Sequence, residues 1–245
     1  MPKPISIVAA EFDAIANALE RTGRPEVLTP AHRALLDHLP REARRALDVG
    51  CGDGMVTRAV AGRGVAVLGV DVSPRMVALA RARTDATARI EYRVADIMAD
   101  DIPEKPFDVV MSINVVHHVP LGDIIPRLAG LVAPGGTLLI QDVVTRNGLR
   151  NFPLNVVAAI RGRLSRLVTG SWAPQPVAAL YETHGAGEVY LEPEQVAPAY
   201  ATLLPGARVL HHLEWRYSVV WRRRPGPERT PPIEARASRP HSSNP

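Results

Sequence analysis

Residues 47–54 read LDVGCGDG, in which Asp48 stands two positions ahead of three alternating glycines, Gly50, Gly52 and Gly54, directly after an apolar run. Glycines so spaced let the backbone press against a ligand. A dinucleotide-binding turn wants G-x-G-x-x-G, and here the third glycine comes one residue early. A phosphate loop wants Gly-Lys-Ser/Thr, and the two lysines, Lys3 and Lys105, lie far from it. An acid at the strand end repels phosphate and suits a ligand that carries an ammonium group. A second candidate is SINVVHHVP (112–120), where His117 and His118 can move a proton near neutral pH. Successive residues on a helix point about 100° apart, so one of the two is expected to face a ligand. His211 and His212 lie on a strand-like run and read as structural. Cys51, the single cysteine, excludes an intrachain disulfide and reads as a small filler. No His-x-x-x-His pair or Asp/Asn cluster argues for a metal, and none is expected.

These residues need elements to position them. Apolar positions recur at helical spacing over 5–21 (Ile5, Val8, Phe12, Ile15, Leu19), and a second helix is expected over 30–39, with Thr29 as N-cap and Pro30 in its first turn. After Pro40 the runs RALDVG, VAVLGVDV, IEYRV, FDVVMSI and GTLLIQDVV are short, apolar and largely β-branched. Helical segments fall between them at 54–63, 74–84 and 121–132. Strands alternating with helices make βαβ units and a mostly parallel sheet, with ligands at the carboxyl ends of the strands. Residues 144–190 break that rhythm with a further helix carrying Leu154, Val157, Ile160, Leu164 and Val168 on one side. EPEQVAPAYATLLPG is expected to form a helix broken near Pro198. ARVLHHLEWRYSVVW supplies an antiparallel closing hairpin.

The glycine loop resembles the first motif of the class I methyltransferases that use S-adenosylmethionine (SAM), and the resemblance continues in register. VLGVDVSPRMV (67–77) is similar to their second motif and YRVADI (92–97) to the third. FDVVMSINVVHHV (107–119) and LVAPGGTLLIQDV (131–143) resemble the fourth strand and the Pro-Gly-Gly turn after it. The likeness implies a Rossmann-like, doubly wound, mostly parallel seven-stranded sheet that ends in an antiparallel hairpin, with N-terminal helices and a helical insertion after strand five. It implies one methyltransferase domain over 1–222: a helical cap (1–40), a cofactor-binding core (41–143), a helical lid (144–190) and a closing helix and hairpin (191–222). It implies SAM as cofactor. Asp48 would attract the SAM ammonium, Gly50, Cys51 and Gly52 would line its amino-acid end, and Asp71 would accept both ribose hydroxyls. Asp96 and the Ile97 N–H would take the adenine edge, with Val72, Met76 and Asn114 as further cofactor contacts. In the family, the residues after strand four line the acceptor side. A histidine there orients or deprotonates a hydroxyl, with His118 placed ahead of His117 by resemblance; a structural histidine at the rim is the other reading. Phe12 either covers the adenosine or packs in the core.

The same stretch narrows the acceptor. NVVH (114–117) lacks the Asp/Asn/Ser-Pro-Pro-aromatic signature of enzymes that methylate base amino groups. Pyrimidine C5 chemistry needs a cysteine on the acceptor side, and Cys51 lies in the cofactor loop. The net charge of +4 comes from the end of the chain: from Arg222 onward there are six arginines against Glu228 and Glu234. The rest is balanced, so nucleic acid is not the expected partner. Residues 223–245, rich in Arg and Pro, are expected to be disordered. Five arginines (146, 150, 161, 163, 166) with no acid between Asp142 and Glu182 suggest an anionic acceptor, a face toward a membrane surface, or a solvated helix face. Hydrophobic residues make up 46% of the chain, enough for a sizeable core, and no run approaches the length of a membrane span. The expectation is a cytoplasmic monomer or homodimer that methylates an oxygen or nitrogen of a small metabolite, in secondary metabolism. Methylation of RNA or protein, or a non-methylating scaffold built on the SAM pocket, are the alternatives.

Overall fold

Alternation of βαβ units at the sequence level becomes a seven-stranded sheet in space. The structure, a computed structural model, describes residues 3–22, 27–102, 106–145, 175–212 and 215–225, with Ile160 and Leu164 singly. The helix expected across most of 150–168, its arginines and the end of the tail lie outside the described residues. The strands are β1 (Arg45–Val49), β2 (Ala66–Asp71), β3 (Ile90–Val94), β4 (Phe107–Ile113), β5 (Val132–Val143), β6 (Arg208–His212) and β7 (Arg216–Arg222). Their order is β3-β2-β1-β4-β5-β7-β6. The first five pair in parallel, while β7 runs antiparallel to both β5 and β6. The order reverses between β1 and β4, and that crevice at the carboxyl edge is where such sheets bind ligands.

The helices are α1 (Ile5–Thr22), α2 (Pro30–Leu36), α3 (Met55–Ala61), α4 (Pro74–Ala82), α5 (Leu121–Leu131), α6 (Gln175–Gly185) and α7 (Pro193–Leu203). Alternate residues of each strand feed opposite cores. Leu47, Val49, Val110, Leu138 and Ile140 pack with Ile124 and Leu128 of α5 and Val196 and Tyr200 of α7. Ala46, Val67, Val109 and Leu139 pack on the other face with Leu35 of α2 and Val56 and Val60 of α3. α4 lies over β2 and β3, and α1 packs on both α4 and α6 through Ile15, Leu19, Met76, Leu79 and Val177.

Local chemistry sets the boundaries. Thr29 caps α2 by accepting from the His32 N–H at 3.1 Å, and Ser73 caps α4 by accepting from the Met76 N–H at 3.0 Å. Each cap is followed by a proline in the first turn, where the missing N–H costs nothing. The expected break in the last helix does not occur: α7 runs unbroken through Pro198. Pro198 and Glu194, whose carbonyl the ring deprives of a donor, are both exposed on the solvent side of the helix.

Candidate active site

At the carboxyl edge of the sheet lies a cavity of about 640 Å³, roofed by α1 and α6. One end is built by the glycine loop. Gly50 and Cys51 both donate backbone N–H groups to the Val70 carbonyl, at 2.8 and 3.0 Å, folding the loop tightly over β2. Gly50 holds φ +70°, and a Cβ there would collide with the Val115 side chain. Gly52 holds φ +53° and faces open cavity, so its backbone is bare toward a ligand. Asp71, at the end of β2, accepts from the Gly52 N–H at 2.8 Å and the Ser73 N–H at 2.9 Å. Val72, Met76, Asp96, Ile97 and Asn114 line the same wall. Asp96 closes its own turn by accepting from the Met98 N–H at 2.8 Å.

Two expected contacts sit behind the wall rather than on it. Asp48 is buried and accepts from the Thr57 hydroxyl at 2.6 Å. Burial raises its carboxyl to about 6 against that hydrogen bond. Cys51 turns its side chain into a cluster with Val77, Ala80 and Tyr92, and burial, aided by the nearby carboxylates, pushes its thiol far up, away from thiolate chemistry. Sequence reading missed Asp53 and Arg83, which line this end as an ion pair at 2.6 Å.

Burial likewise raises Asp71 to about 6, with its two backbone hydrogen bonds opposing. The folded protein therefore holds a proton there that an unfolded chain has released, and stability is lost as the pH rises toward about 6. A ligand whose hydroxyls favour the ionised carboxylate binds better once that proton has gone. The expected result is that the thermal shift produced by SAM shrinks between pH 7.5 and pH 5; a shift independent of pH would detach Asp71 from the ligand.

The other end carries the histidines. His117 and His118 close a 3₁₀ turn, Val116–His118, and both line the cavity. The expectation that one alone would face it does not hold, because α1 and α6 carry the wall around to the second ring. The two rings lie 4.0 Å apart. His117 binds the fully buried Asp142 of β5 twice: the backbone N–H donates to one carboxylate oxygen at 3.1 Å, and Nδ1 pairs with the other at 2.7 Å. His118 has neither ring nitrogen hydrogen-bonded, and burial, with His117 and His184 nearby, lowers it to about 3. The resemblance places His118 first; the hydrogen bonding gives an orienting carboxylate to His117.

Phe12 of α1 packs edge-on to His118 and His184, on the histidine side of the cavity. His184, near the end of α6, pairs through Nδ1 with Glu11 at 2.5 Å. Lys3 donates to Glu11 and to the His184 carbonyl, pinning α1 to α6. His212, by contrast, bonds Ser218 on the neighbouring strand at 2.8 Å, the structural role expected of it.

The cavity fits SAM. Its glycine-loop end offers the bare Gly52 backbone beside the buried Asp71 carboxylate, and the cation on that wall, Arg83, is paired with Asp53. Residues 46–136 match the family model described as Methyltransferase domain. Over 197 residues the chain is 34% identical to an uncharacterized methyltransferase of Mycobacterium tuberculosis, covering 77% of this chain and 92% of that one. It is 35% identical over 190 residues to trans-aconitate 2-methyltransferase of Methylobacterium radiotolerans, covering 73% and 66%. The fold is similar to that of magnesium protoporphyrin IX methyltransferase from Synechocystis PCC 6803 with bound S-adenosylhomocysteine (TM-score 0.56, 14% identity, 89% and 98% covered). Among the described residues no helix is long and apolar enough to cross a membrane. The loop, the sheet order and these relatives agree: the chain belongs to the class I SAM-dependent methyltransferases, enzymes that take their methyl group from SAM.

Proposed function

We propose that this methyltransferase acts on a small-molecule metabolite, at an oxygen or nitrogen that the Asp142–His117 pair orients and deprotonates. The observation that carries the reading is that pair: a fully buried carboxylate holding an imidazole whose ring lines the cavity. With Nδ1 engaged by Asp142, Nε2 is the nitrogen left to accept a proton, and the carboxylate stabilises the imidazolium that results. SAM supplies a methyl group on a sulfonium, already a good leaving group. What remains for the protein is alignment, worth several kcal/mol as effective molarity of roughly 10⁵–10⁸ M at best, and removal of the acceptor proton.

Cavity shape supports a small acceptor. Phe12 of α1 and Tyr190, beyond α6, pack against the histidine rings and wall that end for a compact molecule. Relatives named as acting on trans-aconitate and in ubiquinone biosynthesis support the same class. An anionic acceptor is the finer reading, supported by the acid-free, arginine-bearing stretch between Asp142 and Glu182 and by the carboxylate relative.

The test is incubation of the full chain with methyl-labelled SAM and a metabolite extract. Label in a small organic product supports the proposal. Label that precipitates with RNA or protein overturns it in favour of a macromolecular acceptor, and tight SAM binding with no transfer overturns it in favour of a scaffold.

A further inference from the structure

One nitrogen from each of His117, His118 and His184 lies within 4.8 Å of the other two, at the roofed end of the cavity. Behind each ring stands a carboxylate on the Nδ1 side. His117 Nδ1 is 2.7 Å from Asp142, His184 Nδ1 is 2.5 Å from Glu11, and His118 Nδ1 is 3.3 Å from Glu188. The last contact lacks hydrogen-bond geometry, so both nitrogens of His118 are buried without a hydrogen bond, and the Glu188 carboxylate, also without one, has the Lys3 ammonium beside it at 3.5 Å as a second ionic contact. The side chains concerned are almost wholly enclosed, with 5% of His118 and 1% of Glu188 exposed. Buried polar groups left so are costly unless something else satisfies them.

We propose that His117, His118 and His184 bind one divalent transition-metal ion. A histidine that donates Nδ1–H to a carboxylate presents Nε2 as a ligand, and such carboxylate–histidine pairing is the usual outer shell of a metal site. His117 and His184 are paired in this way, and Glu188 stands 3.3 Å from Nδ1 of His118 in position to complete a third pair. Three carboxylates against the Lys3 ammonium leave a surplus of negative charge to balance an ion. Tetrahedral metal–imidazole bonds of about 2.0–2.1 Å would bring the three nitrogens to about 3.3 Å from one another, from separations of up to 4.8 Å. Neutral imidazoles select zinc, cobalt, nickel or ferrous ions over magnesium or calcium. Three protein ligands leave a position open toward the cavity, where an acceptor oxygen would coordinate and release its proton to water more readily. That consequence rests on the acceptor reading above; the binding of the ion does not. With the ion in place His117 is a ligand, and activation of the acceptor passes from its Nε2 to the metal.

Sequence spacing gave no sign of this site, because His184 comes from α6, far along the chain from the adjacent pair. The experiment uses the full chain without a histidine tag, stripped with chelator and titrated with Co²⁺ and Zn²⁺ in the absence of SAM and acceptor. One ion per chain is expected, with the visible absorption of Co²⁺ in a low-coordinate nitrogen site. His184→Ala should abolish binding, and Glu11→Gln should weaken it about 10–100-fold. The exposed control His211→Ala should leave it unchanged. Circular dichroism reports folding; Glu11 is only partly buried, so Glu11→Gln decides the question even where His184→Ala fails to fold. Absence of a stoichiometric site, or affinity indifferent to Glu11→Gln, overturns the proposal. Because neither SAM nor acceptor enters the titration, its failure leaves the methyl-transfer reading standing, and failure of the labelling test leaves the titration intact.

Discussion

Replacing His117 with alanine is expected to lower kcat for methyl transfer about 10²–10⁴-fold, the range for loss of a positioned acid–base group. SAM affinity should stay within two-fold, since the glycine loop and Asp71 are untouched. The effect depends on Asp142. That carboxylate is fully buried, fixes the turn through the His117 backbone N–H and holds Nδ1 of the ring. Asp142→Asn keeps the shape but offers an amide in place of one oxygen, so the ring loses its preferred tautomer. Its turnover should fall too, with a changed pH–rate profile, which a merely structural contact would not produce. Steady-state kinetics on the labelled product decides it: full turnover in His117→Ala returns the ring to a packing role.

Asp71→Ala is expected to weaken SAM binding about 10–150-fold. Charge-assisted hydrogen bonds of this kind are worth about 1.5–3 kcal/mol, which converts to that range at 1.4 kcal/mol per decade. The carboxylate also ties Gly52 to the end of β2, so its removal frees the loop as well as the contact. Asp71→Asn keeps an acceptor oxygen for one of those partners and should cost less. Calorimetric titration separates the two variants, and an unchanged Kd for Asp71→Ala would withdraw the ribose assignment.

The glycine-loop end of the cavity was legible in outline because its residues are contiguous. Asp48, the three glycines and Asp71 fall on β1, its loop and β2, and the strand pattern alone brings Gly52 against Asp71. The cap residue Thr29 was equally readable, from a hydroxyl followed by proline. The histidine end was not. Asp142 lies on β5, Glu11 on α1 and Glu188 beyond α6, so each carboxylate meets its ring only after the sheet has closed and the roof has docked. No local spacing encodes such a pairing. Pro198 failed for a different reason: proline is a helix breaker on average, but at an exposed position water takes the orphaned carbonyl.

Lys3 stands two residues ahead of α1, yet its ammonium touches Glu11, the His184 carbonyl and, at 3.5 Å, Glu188. Lys3 thus clasps α1 to the segment that follows α6, above the cavity. A bulky group joined just ahead of Lys3 would tug on that clasp. Handles belong at the far end, beyond Arg222, where the last strand has already left the sheet's catalytic edge.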